Sequence, residues 1–454
     1  MTNLVNSESP AASEAPGTAL LTDHYELTML QAALHSGAAG RRAVFEVFAR
    51  HLPHGRRYGV VAGIGRVLDA IERFNFSPDE LAFLRDSAIV DETTLDYLSS
   101  YRFGGNVWGY AEGDVYFPGS PILVVEGTFA EAVLLETVVL SILNHDCAVA
   151  SAASRMVSAA GGAPPVGRPL IEMGSRRTHE GAAVAAARAA YIAGFASTSN
   201  LRARFQYGVP SSGTSAHAFT LVHDSEKHAF EAQLASFGTG TTLLVDTYDV
   251  PRAVRTAVEV AGASLGAVRV DSGDLPAVAA SVRALLDSLG AADTRIILTG
   301  DLDEFSIAAL AVAPVDGYGV GTSLVTGSGA PTAALVYKLV ARSTDDDPSR
   351  LLPVAKRSVG KPGRGGRKWA VRHRSDTGIA LAERISLTPP PPAPTNRTLL
   401  RELVRSGKIV GHEPLPAARA RHLEVLAELP PYAHQLSRGY PAIPTVFDPD
   451  HEEA

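Results

Sequence analysis

The chain has 454 residues, enough for two or three domains of roughly 100–200 residues each. Hydrophobic residues make up 46% and charged residues 20%, a globular balance, and a net charge of -7 excludes a general nucleic-acid binder, which needs a clustered basic surface. The single cysteine, Cys147, excludes an intrachain disulfide and a Cys-rich metal site, and it points to a reducing compartment.

No Lys or Arg precedes Arg41, so the basic start of a secretory signal is missing. No apolar run approaches the ~18 residues of a membrane span. The expectation is a cytoplasmic protein with neither a membrane nor a nucleic acid as partner. Residues 1–18 read as a tail rich in Ser, Ala, Pro and Glu. Order begins at the Leu-Leu-Thr-Asp-His-Tyr-Glu run from Leu20, where Asp23 and Glu26 have the spacing of a capping box before a helix. Tyr25 falls in the first turn of that helix, where its ring can project into a neighbouring site.

Alternation predicts a strand over 43–50 ending at Arg50, helices over 57–74 and 78–85, and a small antiparallel sheet between 106 and 126. The 131–143 stretch is apolar nearly all round and predicts a helix buried between units. Residues 19–143 thus form a β-rich α+β domain. From 144 to 340 short apolar runs alternate with helical segments, at 169–172, 242–245, 267–270, 295–298 and 317–320. That rhythm predicts parallel strands with crossover helices in an α/β barrel, closed or nearly closed. Each run ends in Gly, Asp, Arg or Thr, and barrel sites lie at the strands' C-terminal ends, so five clusters converge on one mouth. Residues 341–454 hold an acidic loop, a basic segment from Lys356 to Arg374, a proline run, and a region over 397–428 that reads as helices with polar linkers.

The clusters suit phosphate chemistry. Adjacent Arg176 and Arg177 offer planar forks for phosphate. Gly319, Gly321 and Thr322, and Gly300 before Asp301, allow close backbone approach. Arg269 and Asp271 share a strand face, as an ion pair or as two ligands. Asp246 and Asp249 either contact ribose or Mg²⁺ or cap the helix near Pro251. His217 follows Gly213-Thr214 with no Cys, second carboxylate or His pair nearby, so it is a base or a phosphoryl acceptor; spacing does not choose.

Taken in order, Leu20 to Met29, Gly174-Ser175-Arg176-Arg177, Ser197-Thr198-Ser199-Asn200, Gly213 to His217, Val245 to Asp249, Arg269 to Gly273 and Gly319 to Thr322 resemble the motifs of nicotinate phosphoribosyltransferases, over roughly residues 19–375. The resemblance implies an irregular (β/α) barrel with a β-rich α+β sandwich built from the N-terminal and part of the C-terminal segment. It implies a homodimer with shared active sites that joins nicotinate to phosphoribosyl pyrophosphate, with Mg²⁺, ATP as co-substrate and a phosphohistidine. His217 would carry the phosphoryl group, and Asp246, Asp271 and Asp301 would serve His217, ribose or Mg²⁺. Arg176 and Arg269 would lie near the nicotinate carboxylate and ribosyl phosphates, beside Thr214. Gly319, Gly321 and Thr322 would hold the 5′-phosphate. Tyr25, with Asp23 close by, would stack on the pyridine in the neighbouring subunit's site. Lys356, Lys361 and Arg367, assisted by Arg50, resemble ligands of pyrophosphate and ATP phosphates.

Met173 stands where relatives often carry an aromatic, so stacking would rest on Tyr25 and a softer thioether contact. Ser199 stands where nicotinamide-using relatives tend to carry an acid, which would repel nicotinate; it favours the acid substrate over nicotinamide. Quinolinate-using relatives are shorter and need extra cations. A barrel lyase or aldolase acting on a sugar phosphate would need a lysine or a His-rich metal set at a strand end, and between 151 and 350 the only lysines are Lys227 and Lys338.

Overall fold

A computed structural model describes residues 17–344, 347, 349–356 and 363–448. Two hydrophobic cores organise it. The first lies under a seven-stranded sheet in which Arg42–Ala49 is an inner strand, antiparallel to Leu335–Ser343 on one side and to the central strand Leu123–Thr128 on the other. Phe45 and Tyr337 stack across the first pairing with centroids 4.9 Å apart, a contact that adds about 1 kcal/mol to the burial of the rings. Asn106–Gly109 and Arg401–Arg405 extend the far side. The expected helices over 397–428 are therefore corrected. Residues 396–398, 401–405 and 408–409 are strands, and only Leu415–Glu428 is helical. Val404 is buried against the sheet, so tertiary pairing overrides a weak helical pattern.

The second core lies inside six parallel strands. Their spatial order is Ser197–Thr198, Leu170–Glu172, Gly317–Val320, Arg295–Leu298, Ala267–Val270 and Thr242–Leu244. All five runs read from the sequence are present, and Ser197–Thr198 is a sixth, too short to register by periodicity. The sheet curls but does not close, because the first and last strands in that order are not paired with each other. The expected closed or nearly closed barrel is an open half-barrel.

One helix, Glu136–Ala159, runs between the two cores. It carries the predicted 131–143 helix on to Ala159, so the boundary expected at 143/144 falls inside it. Phe129–Ala159 is apolar and long enough to cross a membrane by composition, but 67% of its apolar window is buried within the molecule. Its Ala and Ser positions let the Ala-rich helix Glu180–Ile192 lie close against it, since small side chains bring helix axes together. Leu335–Ser343 belongs to the first sheet, so the chain leaves the half-barrel before 340.

The predicted 57–74 helix starts only at Ile64: Gly59–Val60 is drawn into a two-stranded ribbon with Val115–Tyr116, and Gly63 caps the helix. The predicted capping box at Asp23 is not formed. Glu26 instead turns inward, where its Oε1 accepts from Thr137 N at 2.9 Å and Thr137 Oγ1 at 2.6 Å.

Candidate active site

The C-terminal ends of the parallel strands enclose a cavity of about 170 Å³ lined by residues from four strand ends, among them Met173, Arg176, Arg269, Asp271, Asp301 and Thr322. Parallel strands run out together at one edge, so every strand-end side chain on the concave face meets the others there. Arg269 reaches this face because it alternates with buried Val268 and Val270. Gly319 forms the floor: a Cβ there would sit 2.5 Å from Thr299 Cγ2 and 2.7 Å from Met173 Sδ, so only glycine lets the thioether lie flat. Gly300 has φ +115, and a Cβ would sit 2.6 Å from the Asp271 carbonyl oxygen.

The cations here are not neutralised. Arg176 and Arg177 are exposed and donate from their side chains to no acceptor among the described residues. Arg269 does not pair with Asp271. Its Nη1 donates to Thr214 Oγ1 at 2.7 Å, and its buried Nε has no partner among the described residues. Burial pushes this guanidinium below its ordinary value, and Asp271 and Asp246 offset that only in part. A phosphate or carboxylate entering the cavity would supply the missing acceptors.

The acids are organised around one carboxylate. Asp246 is buried at the end of Thr242–Leu244, and its Oδ2 accepts from Asp271 N at 2.8 Å and Ser272 Oγ at 2.6 Å. Its Oδ1 is buried without a hydrogen bond among the described residues and faces His217 Nε2 at 3.9 Å. The other imidazole nitrogen, Nδ1, lies 3.1 Å from Thr247 Oγ1. Two residues of one loop thus address both nitrogens of a histidine whose side chain is 40% exposed. Asp271 Oδ1 accepts from Thr299 Oγ1. Asp249 is used elsewhere, since its Oδ1 caps the helix Val250–Ala261 by accepting from Arg252 N at 2.9 Å.

His217 and Asp246 are therefore neighbours of the cavity, and Thr214 is tied to it by Arg269. Ser199 is exposed in the turn after Ser197–Thr198, its amide donating to Glu172 O at 2.8 Å. Tyr25 and Asp23 sit on the helix His24–Ser36 and at its cap, in the other core, and do not line the cavity; Tyr25 is 48% exposed. Arg50 lines a different cavity of about 340 Å³ with Glu46, Arg364 and Lys368. Arg367 is engaged internally, with Nε on Glu126 Oε1 at 2.8 Å and the guanidinium 3.7 Å from the Trp369 ring. Lys356 is exposed outside the mouth, and Lys361 lies outside the described residues. Sequence reasoning assigns no role to Thr247, Thr299 or Glu172, which hold the others in place. Threonines and a glutamate at strand ends are the only signal that could have found them.

A family model described as the nicotinate phosphoribosyltransferase N-terminal domain matches residues 20–144. The nicotinate phosphoribosyltransferase pncB1 of Mycobacterium tuberculosis is 57% identical, over 94% of this chain and 94% of that protein. The chain belongs to the nicotinate phosphoribosyltransferase family. A family member from Bacillus subtilis is 36% identical over 72% of this chain and 67% of its own length. A crystal structure of human nicotinic acid phosphoribosyltransferase matches the fold with a TM-score of 0.80 at 24% identity, over 95% of this chain and 98% of that one. The chain is thus an enzyme of this kind, built on the fold that its sequence motifs imply.

Proposed function

We propose that this phosphoribosyltransferase joins nicotinate to phosphoribosyl pyrophosphate in NAD salvage, and that it couples the transfer to ATP hydrolysis through a phosphorylated His217. The observation that carries the coupling is the His217–Asp246 arrangement: a half-exposed imidazole beside a buried carboxylate oxygen with no other partner among the described residues. Asp246 fits the role of acceptor for the Nε2 proton, which leaves a lone pair on the other nitrogen. That nitrogen attacks the γ-phosphorus of ATP, a P–N bond forms, and the P–O bond to ADP breaks. In the transfer itself the pyridine nitrogen bonds to C1′ of the ribose as the C1′–O bond to pyrophosphate breaks. Arg176 and Arg269 hold phosphate and carboxylate charge, and the Gly319–Thr322 turn approaches the 5′-phosphate.

Mg²⁺, when bound, would supply charge neutralisation on the pyrophosphate. Among the described residues no group of three His, Cys, Asp or Glu forms a metal cage. Asp271 and Asp301 fit an ion that brings phosphate and water ligands with it, the usual manner of magnesium. Among the described residues no aromatic side chain lines the cavity. This favours a homodimer in which exposed Tyr25, next to exposed Leu20 and Leu21, supplies the stacking face to the partner's mouth. Arg50 and Lys356 would reach pyrophosphate by the same route. Free, buried Cys147 fits a cytoplasmic location.

His217→Ala is expected to abolish nicotinate-dependent ATP hydrolysis and acid-labile phosphoenzyme while leaving slow, ATP-independent formation of nicotinate mononucleotide. Undiminished coupled ATPase in that variant would overturn the assignment.

A further inference from the structure

Below the mouth lies a carboxyl group that the transfer chemistry does not use. Glu172 ends the strand Leu170–Glu172, is fully buried, and has no cation paired with it among the described residues. Its Oε1 accepts from Gly174 N and its Oε2 from Thr198 Oγ1. Its main-chain oxygen accepts from Ser199 N at 2.8 Å. Thr198 Oγ1 in turn accepts from Asn200 N at 2.9 Å, and Asn200 Nδ2 donates to Ser175 Oγ at 3.0 Å. The loop is closed: four hydrogen bonds through Glu172, Thr198, Asn200 and Ser175, completed by the Gly174–Ser175 peptide link, join the turn that carries Arg176 to the turn that carries Ser199.

A buried charge without a counter-ion costs free energy, and burial does push this carboxyl above its ordinary range, with the Thr198 and Gly174 hydrogen bonds offsetting only part. Fold support alone does not require it. A carboxylate has two acceptor oxygens and no donor, which matches two donors fixed on different turns. An amide of the same shape would point its NH₂ at either Gly174 N–H or Thr198 Oγ1. In the second case the threonine oxygen, already taking the Asn200 amide proton, has no acceptor left for its own hydrogen.

We propose that Glu172 is a positioning residue for the pyridine end of the reaction: with Thr198 it sets the Ser199–Asn200 turn against the Arg176 turn, and so sets the preference for an acid over an amide substrate. This rests on the nicotinate reading above. The test is steady-state kinetics of wild type, Glu172→Gln, Thr198→Val and Thr198→Ser, with nicotinate and phosphoribosyl pyrophosphate varied in turn and nicotinamide as the competing substrate. Glu172→Gln and Thr198→Val are each expected to raise the nicotinate KM about tenfold and to lower the nicotinate-over-nicotinamide preference by a similar factor. The phosphoribosyl pyrophosphate KM should rise clearly less, by no more than about threefold, because Arg269, Asp271 and the Gly319–Thr322 turn stand on other strands and only Arg176 shares the turn that Glu172 holds. Thr198→Ser, which keeps the hydroxyl, should bring the nicotinate KM back to within about twofold of wild type. Wild-type KM and preference in both Glu172→Gln and Thr198→Val would overturn the proposal. A fall in kcat and Tm with both KM values and the preference unchanged would also overturn it, marking Glu172 as fold support. Wild-type enzyme that forms no nicotinate mononucleotide would instead sink the underlying reading, before any variant is compared.

Discussion

Arg269, Arg176 and Arg177 at the mouth and Arg188 and Arg397 at the seam between the two cores have opposite surroundings. At the seam Arg188 sits on Glu112 with two contacts of 2.6 Å, and Arg397 grips Asp114 at 2.7 and 3.0 Å. Burial alone would push Arg188 down, but Glu112 more than reverses that and raises it. At the mouth burial pushes Arg269 down and nearby Asp271 and Asp246 offset that only in part, and Arg176 and Arg177 have no acceptor among the described residues. The same side chain is a finished bond in one region and an unfinished one in the other. Where such unfinished bonds gather around a cavity, as they do here, they mark where a ligand belongs.

Breaking a finished bond should cost stability first. Arg188→Ala is expected to lower the unfolding free energy by about 3–5 kcal/mol, because Glu112 is left buried and charged. Denaturant unfolding measures this. The pairing of Arg188→Met with Glu112→Gln should recover most of the loss, since neither partner is then an uncompensated ion. Equal destabilisation in single and double variants would show that the seam depends on packing rather than on the pair.

Removing an unfinished bond should cost function instead. Arg269→Ala is expected to reduce kcat/KM about a hundredfold, the worth of a charge-assisted contact with substrate, while the unfolding free energy changes by less than about 1 kcal/mol. Paired kinetics and unfolding curves check both halves. A stability loss as large as that of Arg188→Ala would erase the distinction between the two regions.

Much of this is legible in the sequence for a reason, and the rest is hidden for one. Strand rhythm and polar strand ends point to the parallel sheet and bring Arg176, Arg269, Asp271, Asp301 and the Gly319–Thr322 turn together, because both follow from local periodicity. Openness of the half-barrel depends on whether two distant edges meet, which no local pattern encodes. Arg367 reads as a phosphate ligand within its basic block; its commitment to Glu126 and Trp369 comes from a strand more than two hundred residues earlier and from a neighbouring ring. Glu26 reads as part of a helix cap because Asp23 stands three residues before it, and only the fold reveals Thr137 waiting on the 136–159 helix. Whether a charged side chain is finished or unfinished is a tertiary property.

Glu26 itself gives the smallest and most selective test of that distinction. It is a buried carboxyl held by hydroxyl and amide donors with no cation paired with it among the described residues, unlike Glu112. Burial pushes it up to about 7, with the Thr137 hydrogen bonds working against the shift. A carboxyl raised above its unfolded value stabilises the fold in its protonated form. Its contribution is therefore complete below about 4.5 and is lost as pH rises through about 7. Glu26→Gln fixes the protonated pattern: its amide oxygen still accepts from Thr137, and its NH₂ can donate to Thr22 Oγ1, which contacts the carboxylate in the native chain. The difference in Tm between Glu26→Gln and wild type should thus be near zero at pH 4.5 and grow to a few degrees, about 2–4 °C, by pH 7.5. A difference that stays flat over that window would mean that Glu26 titrates as an ordinary carboxylate, and that hydrogen bonds alone finish its charge as fully as Arg188 finishes that of Glu112.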